Sequence, residues 1–532
     1  MAAKRFWFVI LASILGLLGI LYLIFFPTIQ TVRQTPPGYT YLLGSGYLPD
    51  YYQYLSWVKS GMDGHILLTS KLSELPTTPV FMHPLFLFTG HLARFVHSTP
   101  YTAFFMLRIV STAIFYFSVL AVARKILRTP KNMFLFLTVF LTAGSLYTKD
   151  GQSILYPIPW FTGFTVLGKF ILPPHHLLAL ACVIGILLLL DIQSTKKGFL
   201  LTALLLITIG FLNPSILLVS YFILLPGILR SLLKIVQTKT FNFSPPIILV
   251  LLTVPLLAYN QYLFATTDPW KLMYELMKNF RPPVAFLDYI RSLGLVLPVS
   301  LIALATKKSW KDERILSLGS WAFIPIFLFP LLGTILPMNE SRLFQMYQVI
   351  PLSILAGMVI ALAIGYCSTR IPRILSPILY AACIAGMFVS SFVLIEASWK
   401  ESKSQVSWNN YALFATDDMM RSYAYLNNQK NDDVVVAGET VSLVIAALTP
   451  HRVLLGRDDA VRNYYERRGR IFDFLNGKLS QQELKTFLTT YRVRYTVFGI
   501  DTYPWSAVPY ASSGMVKNQT NIGSITIIEW KR

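Results

Sequence analysis

The chain has 532 residues, of which 54% are hydrophobic and 13% charged, where soluble domains carry about 25% charged residues. A mean hydropathy of +0.55 over this length excludes a soluble protein built on one buried core, because several stretches approach the ~20 apolar residues that cross a bilayer. A net charge of +21 in a soluble protein would point to nucleic acid. Here the basic residues cluster in short loops between apolar runs, the positive-inside pattern, so the reading is no nucleic acid and membrane lipids as surroundings.

The N-terminal MAAKRFWFVILASILGLLGILYLIFF reads as a retained membrane helix, because its apolar run is too long for a signal-peptide core and no small-x-small site follows. It opens a series of about eleven candidate spans. They are Phe6–Phe26, Ala103–Ala123, Met133–Tyr147, Ile171–Leu190, Phe199–Leu212, Pro214–Leu229, Pro246–Phe264, Leu287–Ala305, Ile315–Leu336, Leu343–Tyr366 and Ile374–Ile395. The break at Asn213-Pro214 reads as a tight hairpin, the alternative being one kinked helix over 199–229. With the hairpin, Lys4/Arg5, Arg124/Lys125/Arg128/Lys131, Lys196/Lys197, Arg230/Lys234/Lys239, Lys307/Lys308/Lys311/Arg314 and Arg370/Arg373 all fall on one side. That side is predicted to be cytoplasmic, with the N-terminus there and the C-terminal domain exoplasmic, in the cell membrane. Cys182, Cys367 and Cys383 lie in or beside apolar spans and read as small core residues.

Two outer segments are long. The first, 27–101, includes VFMHPLFLFTGHLARFV, apolar but carrying His83, His91 and Arg94, which suits a helix lying on the membrane surface. The second follows Ile395, where the composition changes. NDDVVVAGE, HRVLLG, YRVRYTVFG and SITIIEW read as strands, with SLVIAALTP and SQQELKTFLTTYRV as helices between them. The predicted fold class is an α-helical polytopic membrane protein, residues 1–396, with a small C-terminal exoplasmic α/β domain, residues 397–532.

Chemistry-bearing residues gather on the predicted outer side. In GSGYLPDYYQYLSWVKSGMDGHILL, Asp50 precedes Tyr51, Tyr52 and Tyr54. A carboxylate there is a candidate base beside rings that can stack on sugars; the plainer reading is a solvated acid or a cap for a helix starting at YYQYLSWV. Glu74 is the second acid of the loop, and Asp63 in GMDGH reads as a turn residue. His83 precedes Pro84, and His175 and His176 open a span in LPPHHLLA; neutral histidines can cap, line a cavity or donate to phosphate. In PMNESRLFQMYQVIPLS, Arg342 and Gln345 share a helix face, and Arg342 can hold a lipid phosphate through its fork of N–H donors, with interfacial snorkelling as the alternative. Arg108, among apolar residues, requires a partner or a cavity. The ERRGR stretch near Arg468 reads as a solvated basic face, or as a binder of anionic glycan.

The order of these segments resembles the GT-C superfamily of integral membrane glycosyltransferases, and more narrowly a group of bacterial members. The resemblance covers almost the whole chain. It rests on PDYYQYLSWVKSGMDG after the first span, then SELPTTPVFMHPLFLFTGHLARF, LPPHHLLA, ESRLFQMYQVIPLSILAG, DDVVVAGETVSLVIAALTPHRVLLG and YRVRYTVFG. It implies that the early acid, here Asp50, is the catalytic base and that Glu74 is a second catalytic or metal-linked acid. Arg342, Gln345, His175, His176, His83 and Tyr51 are the corresponding candidates for substrate contact. It also implies a polyprenyl-phosphate-linked sugar donor and an exoplasmic glycan, lipid or protein acceptor. A divalent metal stays open, and no other cofactor is implied. Two features depart from the family: the early acid stands alone, and no WWD-type motif is present, which argues against an oligosaccharyltransferase. The rival reading is a transporter or flippase of lipid-linked glycans, but such proteins tend to carry midplane polar groups and inverted repeats, and neither is visible here.

Overall fold

The computed structural model describes residues 2–44, 47–127, 173–240, 244–279, 296–305, 312–335, 348–370, 410–429, 432–458, 460–499 and 510–531, with the single positions 286, 290, 293 and 310. In chain order the first elements are α1 (Ala2–Gln34), β1 (Tyr39–Tyr41), α2 (Leu48–Met62), α3 (Pro84–Phe95), α4 (Pro100–Leu127), α5 (Pro174–Leu189), α6 (Lys196–Leu212), α7 (Pro214–Thr238) and α8 (Pro245–Thr266). They are followed by α9 (Trp270–Asn279), α10 (Val296–Leu304), α11 (Glu313–Ile335), α12 (Val349–Arg370), β2 (Phe414–Thr416), α13 (Asp417–Asn428), β3 (Val434–Val436) and α14 (Glu439–Leu448). The last are β4 (Arg452–Val453), α15 (Tyr464–Leu475), α16 (Gln481–Thr490), β5 (Val493–Phe498), β6 (Val516–Ile522) and β7 (Ile525–Trp530). These elements group into two compact units. One is helical, Met1–Phe26, Arg108–Asn260 and Met277–Glu401; the other is mixed, Pro27–Leu107, Gln261–Leu276 and Ser402–Arg532.

Among the described residues, Ser13–Gln34, Pro100–Ile126, Pro174–Ile192, Pro214–Thr238 and Pro245–Thr266 are helices long and apolar enough to cross a bilayer. The expected spans Met133–Tyr147 and Ile374–Ile395 lie outside the described residues. Residues 199–229 form two helices in mutual contact, as the hairpin reading requires. Asn213 makes the break: its side-chain oxygen accepts from the amides of Ser215 at 3.0 Å and Ile216 at 3.3 Å. Pro214 follows at the first helical position, where a missing N–H costs nothing. Basic helix ends then converge within the helical unit. Lys125, at the end of α4, pairs with Asp191 at 2.8 Å; Arg314 reaches the same carboxylate, and Arg230 pairs with Glu313 at 3.0 Å. Arg108 is buried with its guanidinium 5.3 Å from the centre of the Phe25 ring, a cation–π contact that answers its charge among apolar neighbours.

In the mixed unit a five-stranded sheet runs in the order β4-β3-β5-β7-β6. β3 is parallel to both β4 and β5, and β5, β7 and β6 are antiparallel neighbours. Val434, Leu454, Phe474, Phe487 and Trp530 form its core, and the Trp530 indole N–H donates to Thr496 at 2.8 Å. Ser480 starts α16 with a capping box, its hydroxyl accepting from the Glu483 amide while the Glu483 carboxylate accepts from the Ser480 amide.

The segment after α1 belongs to the same unit as this sheet. β1 pairs antiparallel with β2, Thr40 opposite Ala415, and the Val453 amide donates to the Lys71 carbonyl at 2.9 Å. α2 packs on α3 through two glycines: a Cβ on Gly61 would lie 2.1 Å from the Leu87 carbonyl, and one on Gly90 would lie 2.0 Å from that of Val58. Helix α3, with 12 residues, is shorter than the ~20 needed to span. It leaves Phe88, Leu92 and Phe95 exposed, the outward apolar stripe expected of a helix lying on a membrane surface.

Candidate active site

Pro49 near the start of α2 suits a first helical turn, since it has no amide hydrogen to leave unbonded. Asp50 lies in that turn. It does not cap the helix: the N-cap is Tyr47, with no side-chain cap bond. The helix N-terminus favours a negative charge at this position. Asp50 Oδ1 accepts from Arg457 Nη1 at 2.5 Å, and the same Nη1 also donates to Gln53 Oε1, one turn further along α2. Arg457 is nearly buried, with 9% of its side chain exposed, while Asp50 keeps 42%. The carboxylate is therefore held on one oxygen and stays part-exposed.

Arg457 reaches this position because the chain before it runs against the first loop. A Cβ on Gly456 would stand 2.0 Å from the Leu72 carbonyl oxygen, so only glycine permits the approach. The arginines of this stretch recur every five residues, at 452, 457, 462 and 467, and each meets an acid or carbonyl of another segment. Arg452 donates to Asp432 and to the Glu74 carbonyl. Arg462 pairs with Asp268 at 2.9 Å. Arg467 pairs with the Glu74 carboxylate, and Arg468 pairs with Glu439 at 2.8 Å. Arg467 and Arg468 of the ERRGR stretch thus engage acids of their own unit, while Arg470 is exposed.

Glu74 is buried, its Oε2 taken by Arg467 and by the Ser73 hydroxyl at 3.1 Å. Asp50 and Glu74 are held by different arginines of one strap, and Asp63 ends α2 against Lys59 and Lys71. Burial pushes the Lys71 ammonium down to about 8 against the pull of Asp63. Tyr51 turns inward, 3% exposed, its hydroxyl donating to the Leu42 carbonyl at 2.5 Å and its ring edge-on to Phe104. Tyr54 stacks on Phe86 at 5.0 Å. Trp57 stacks on His83 at 4.8 Å and lies 5.8 Å from Trp270. His83 precedes α3 with a left-handed φ of 46°; enclosure pushes its imidazole down to about 4, so the ring is neutral at pH 7.

In the helical unit, His175 and His176 occupy the first turn of α5, both buried, with rings 4.5 Å apart. His176 Nε2 accepts from Asn213 Nδ2 at 3.3 Å. Gln348 is buried as well, while Arg342 and Gln345 lie outside the described residues. Among the described residues no three His, Cys, Asp or Glu side chains come together in a set that would hold a metal ion. The residue at the candidate site that sequence reading missed is Arg457. Its only signal is the five-residue recurrence of arginine in LLGRDDAVRNYYERRGR.

No family model matches the chain, and no curated protein matches its sequence. Solved structures do. The archaeal oligosaccharyltransferase AglB from Archaeoglobus fulgidus, in complex with an inhibitory peptide and a dolichol-phosphate, superposes with a TM-score of 0.52 at 10% identity, over 93% of this chain and 69% of AglB. ArnT from Cupriavidus metallidurans bound to undecaprenyl phosphate gives 0.50 at 10% identity, over 90% of this chain and 93% of ArnT. ArnT in the apo state gives 0.50 at 12% identity, over 99% and 98%. With helices of membrane length, an acid-bearing segment after the first of them and a C-terminal sheet, the chain has the GT-C fold.

Proposed function

We propose that this protein is a membrane glycosyltransferase that moves a sugar from a polyprenyl-phosphate-linked donor to a hydroxyl of an exoplasmic glycan, lipid or protein, with inversion at the anomeric carbon. The observation that carries the reading is Asp50, a part-exposed carboxylate in the first turn of α2, held on one oxygen by a nearly buried arginine. In the step, the acceptor oxygen bonds to the anomeric carbon as the bond from that carbon to the phosphate oxygen breaks. The acceptor proton passes to Asp50, and the electron pair leaves with the polyprenyl phosphate. Arg342 would meet the charge that develops on the departing phosphate, with Gln345 and the histidines at the start of α5 assisting. In this reading His83 is a neutral donor and Glu74 fastens the segment after α2 through Arg467.

The GT-C fold supports the reading, as do the polyprenyl phosphates named in the AglB and ArnT complexes. The gathered basic residues of α4, α7 and α11 suit a cytoplasmic face of the helical unit. The test is a panel of undecaprenyl- and dolichyl-phosphate donors bearing different radiolabelled sugars, supplied with cell-envelope acceptors to the full-length protein in vesicles. Transfer from at least one donor is expected, and Asp50→Asn should lower it about 10²–10⁴-fold, the span usual for loss of a general base. Near-normal transfer by a folded Asp50→Asn protein would remove Asp50 as the base. Translocation of a lipid-linked glycan without transfer would favour a flippase.

A further inference from the structure

We infer that Arg457 is the positioning residue of the catalytic carboxylate, an inference that rests on the function proposed above. Three observations converge on it. Arg457 Nη1 bonds both Asp50 Oδ1 and Gln53 Oε1, so one guanidinium nitrogen ties the acid to the next turn of its own helix. The arginine is nearly buried while the acid is part-exposed, so Arg457 is the fixed member and Asp50 the member being aimed. Its backbone is fixed in turn, by Gly456 pressed on the Leu72 carbonyl and by the Leu454 amide donating to the Val435 carbonyl at 3.1 Å. The C-terminal segment therefore sets the rotamer of an acid more than 400 positions earlier in the chain.

The pair engages Oδ1, and in the proposed step Oδ2 takes the acceptor's proton. Arg457 itself neither gives nor receives a proton, because a guanidinium stays charged at any working pH. A misplaced reacting group of about 1 Å costs up to ~10²-fold in rate, so orientation of this carboxylate is worth a dedicated residue. Arg462 and Arg467, five and ten positions along, hold Asp268 and Glu74 and anchor the same strap at two further points.

The experiment uses the full-length protein in vesicles. Arg457→Gln and Arg457→Lys are compared with wild type in two measurements. The first is carbodiimide labelling of carboxylates, read by mass spectrometry with exposed Asp432 as the internal reference. Arg457→Gln should raise Asp50 labelling several-fold and leave Asp432 unchanged. The second is transfer from whichever polyprenyl-phosphate donor the wild type uses. Arg457→Gln should lower kcat by about 10–100-fold with KM within about twofold, and Arg457→Lys should recover part of the loss. In an Asp50→Asn background, Arg457→Gln should cost little more, because it acts through Asp50. Unchanged Asp50 labelling overturns the pairing whatever the transfer assay gives, and wild-type kcat in folded Arg457→Gln overturns the positioning role. If wild type transfers from no donor while Asp50 stays protected, the proposed function fails, and with it the role of the pair in transfer.

Discussion

The ion pairs of the helical unit differ in kind from the buried pairs of the mixed unit, which also carries exposed pairs such as Arg462–Asp268. In the helical unit, Arg230–Glu313 is roughly half exposed on both sides and Lys125–Asp191 a third or more. In the mixed unit, Arg467–Glu74 leaves 15% and 8% exposed and Arg457 only 9%. Exposed pairs sit in water, are screened by salt and contribute ~0–1 kcal/mol. A buried pair adds little over an apolar substitute, yet removing one partner strands a charge and costs about 3–5 kcal/mol. The exposed pairs of the helical unit therefore contribute little, whereas the buried pairs of the mixed unit fix side chains in place.

The sharpest way to break that contrast is Glu74→Gln, which leaves Arg467 without its counter-charge. It should destabilise the protein by about 3 kcal/mol, read as a lowered unfolding temperature of the detergent-solubilised chain. A loss under 1 kcal/mol would place this pair with the exposed class. Next in size are Gly456→Ala and Gly90→Ala, whose new methyls would meet backbone oxygens at 2.0 Å. Each should cost about 1–3 kcal/mol through forced backbone movement, and Gly456→Ala should also raise carbodiimide labelling of Asp50, which Gly90→Ala should not.

Lys71 gives a pH test of the buried class. Its native pKa, about 8, lies below the ~10.4 of an unfolded chain, so between those values the unfolded state binds more protons and stability should rise with pH. The added slope should be at most ~1.4 kcal/mol per pH unit. Lys71→Met should remove it, and equal slopes in both proteins would reject a buried Lys71. The smallest effect is expected at the exposed pair: Arg230→Ala should change stability by less than ~1 kcal/mol, and added salt should erase the difference.

Local signals read well from the chain. Asn-Pro at 213–214 announced a helix break because asparagine accepts from the next amides and proline tolerates an unbonded first position. The β-branched and aromatic VVV and RYTVF stretches announced β3 and β5, and Ser480 with Glu483 marked the start of α16. Strand β6, VKNQTNI, was missed: it is polar and largely exposed, and it is a strand because β7 pairs with it. Helices α13 and α15 were missed too, their apolar faces being short and interrupted by charge. At the candidate site, Asp50 was legible from its place after the first apolar run. The inward turn of Tyr51 and the arginine behind Asp50 were not.

By itself the sequence determined the membrane-length helices among the described residues and four of the five strands of the C-terminal sheet, because hydrophobic period and capping act over a few residues. Tertiary structure alone decided that the segment after the first helix folds with the C-terminal segment, and that Asp50 and Glu74 each answer to an arginine about 400 residues away. Pairing across that distance depends on which surfaces meet once the chain has folded, and no local pattern of residues encodes it.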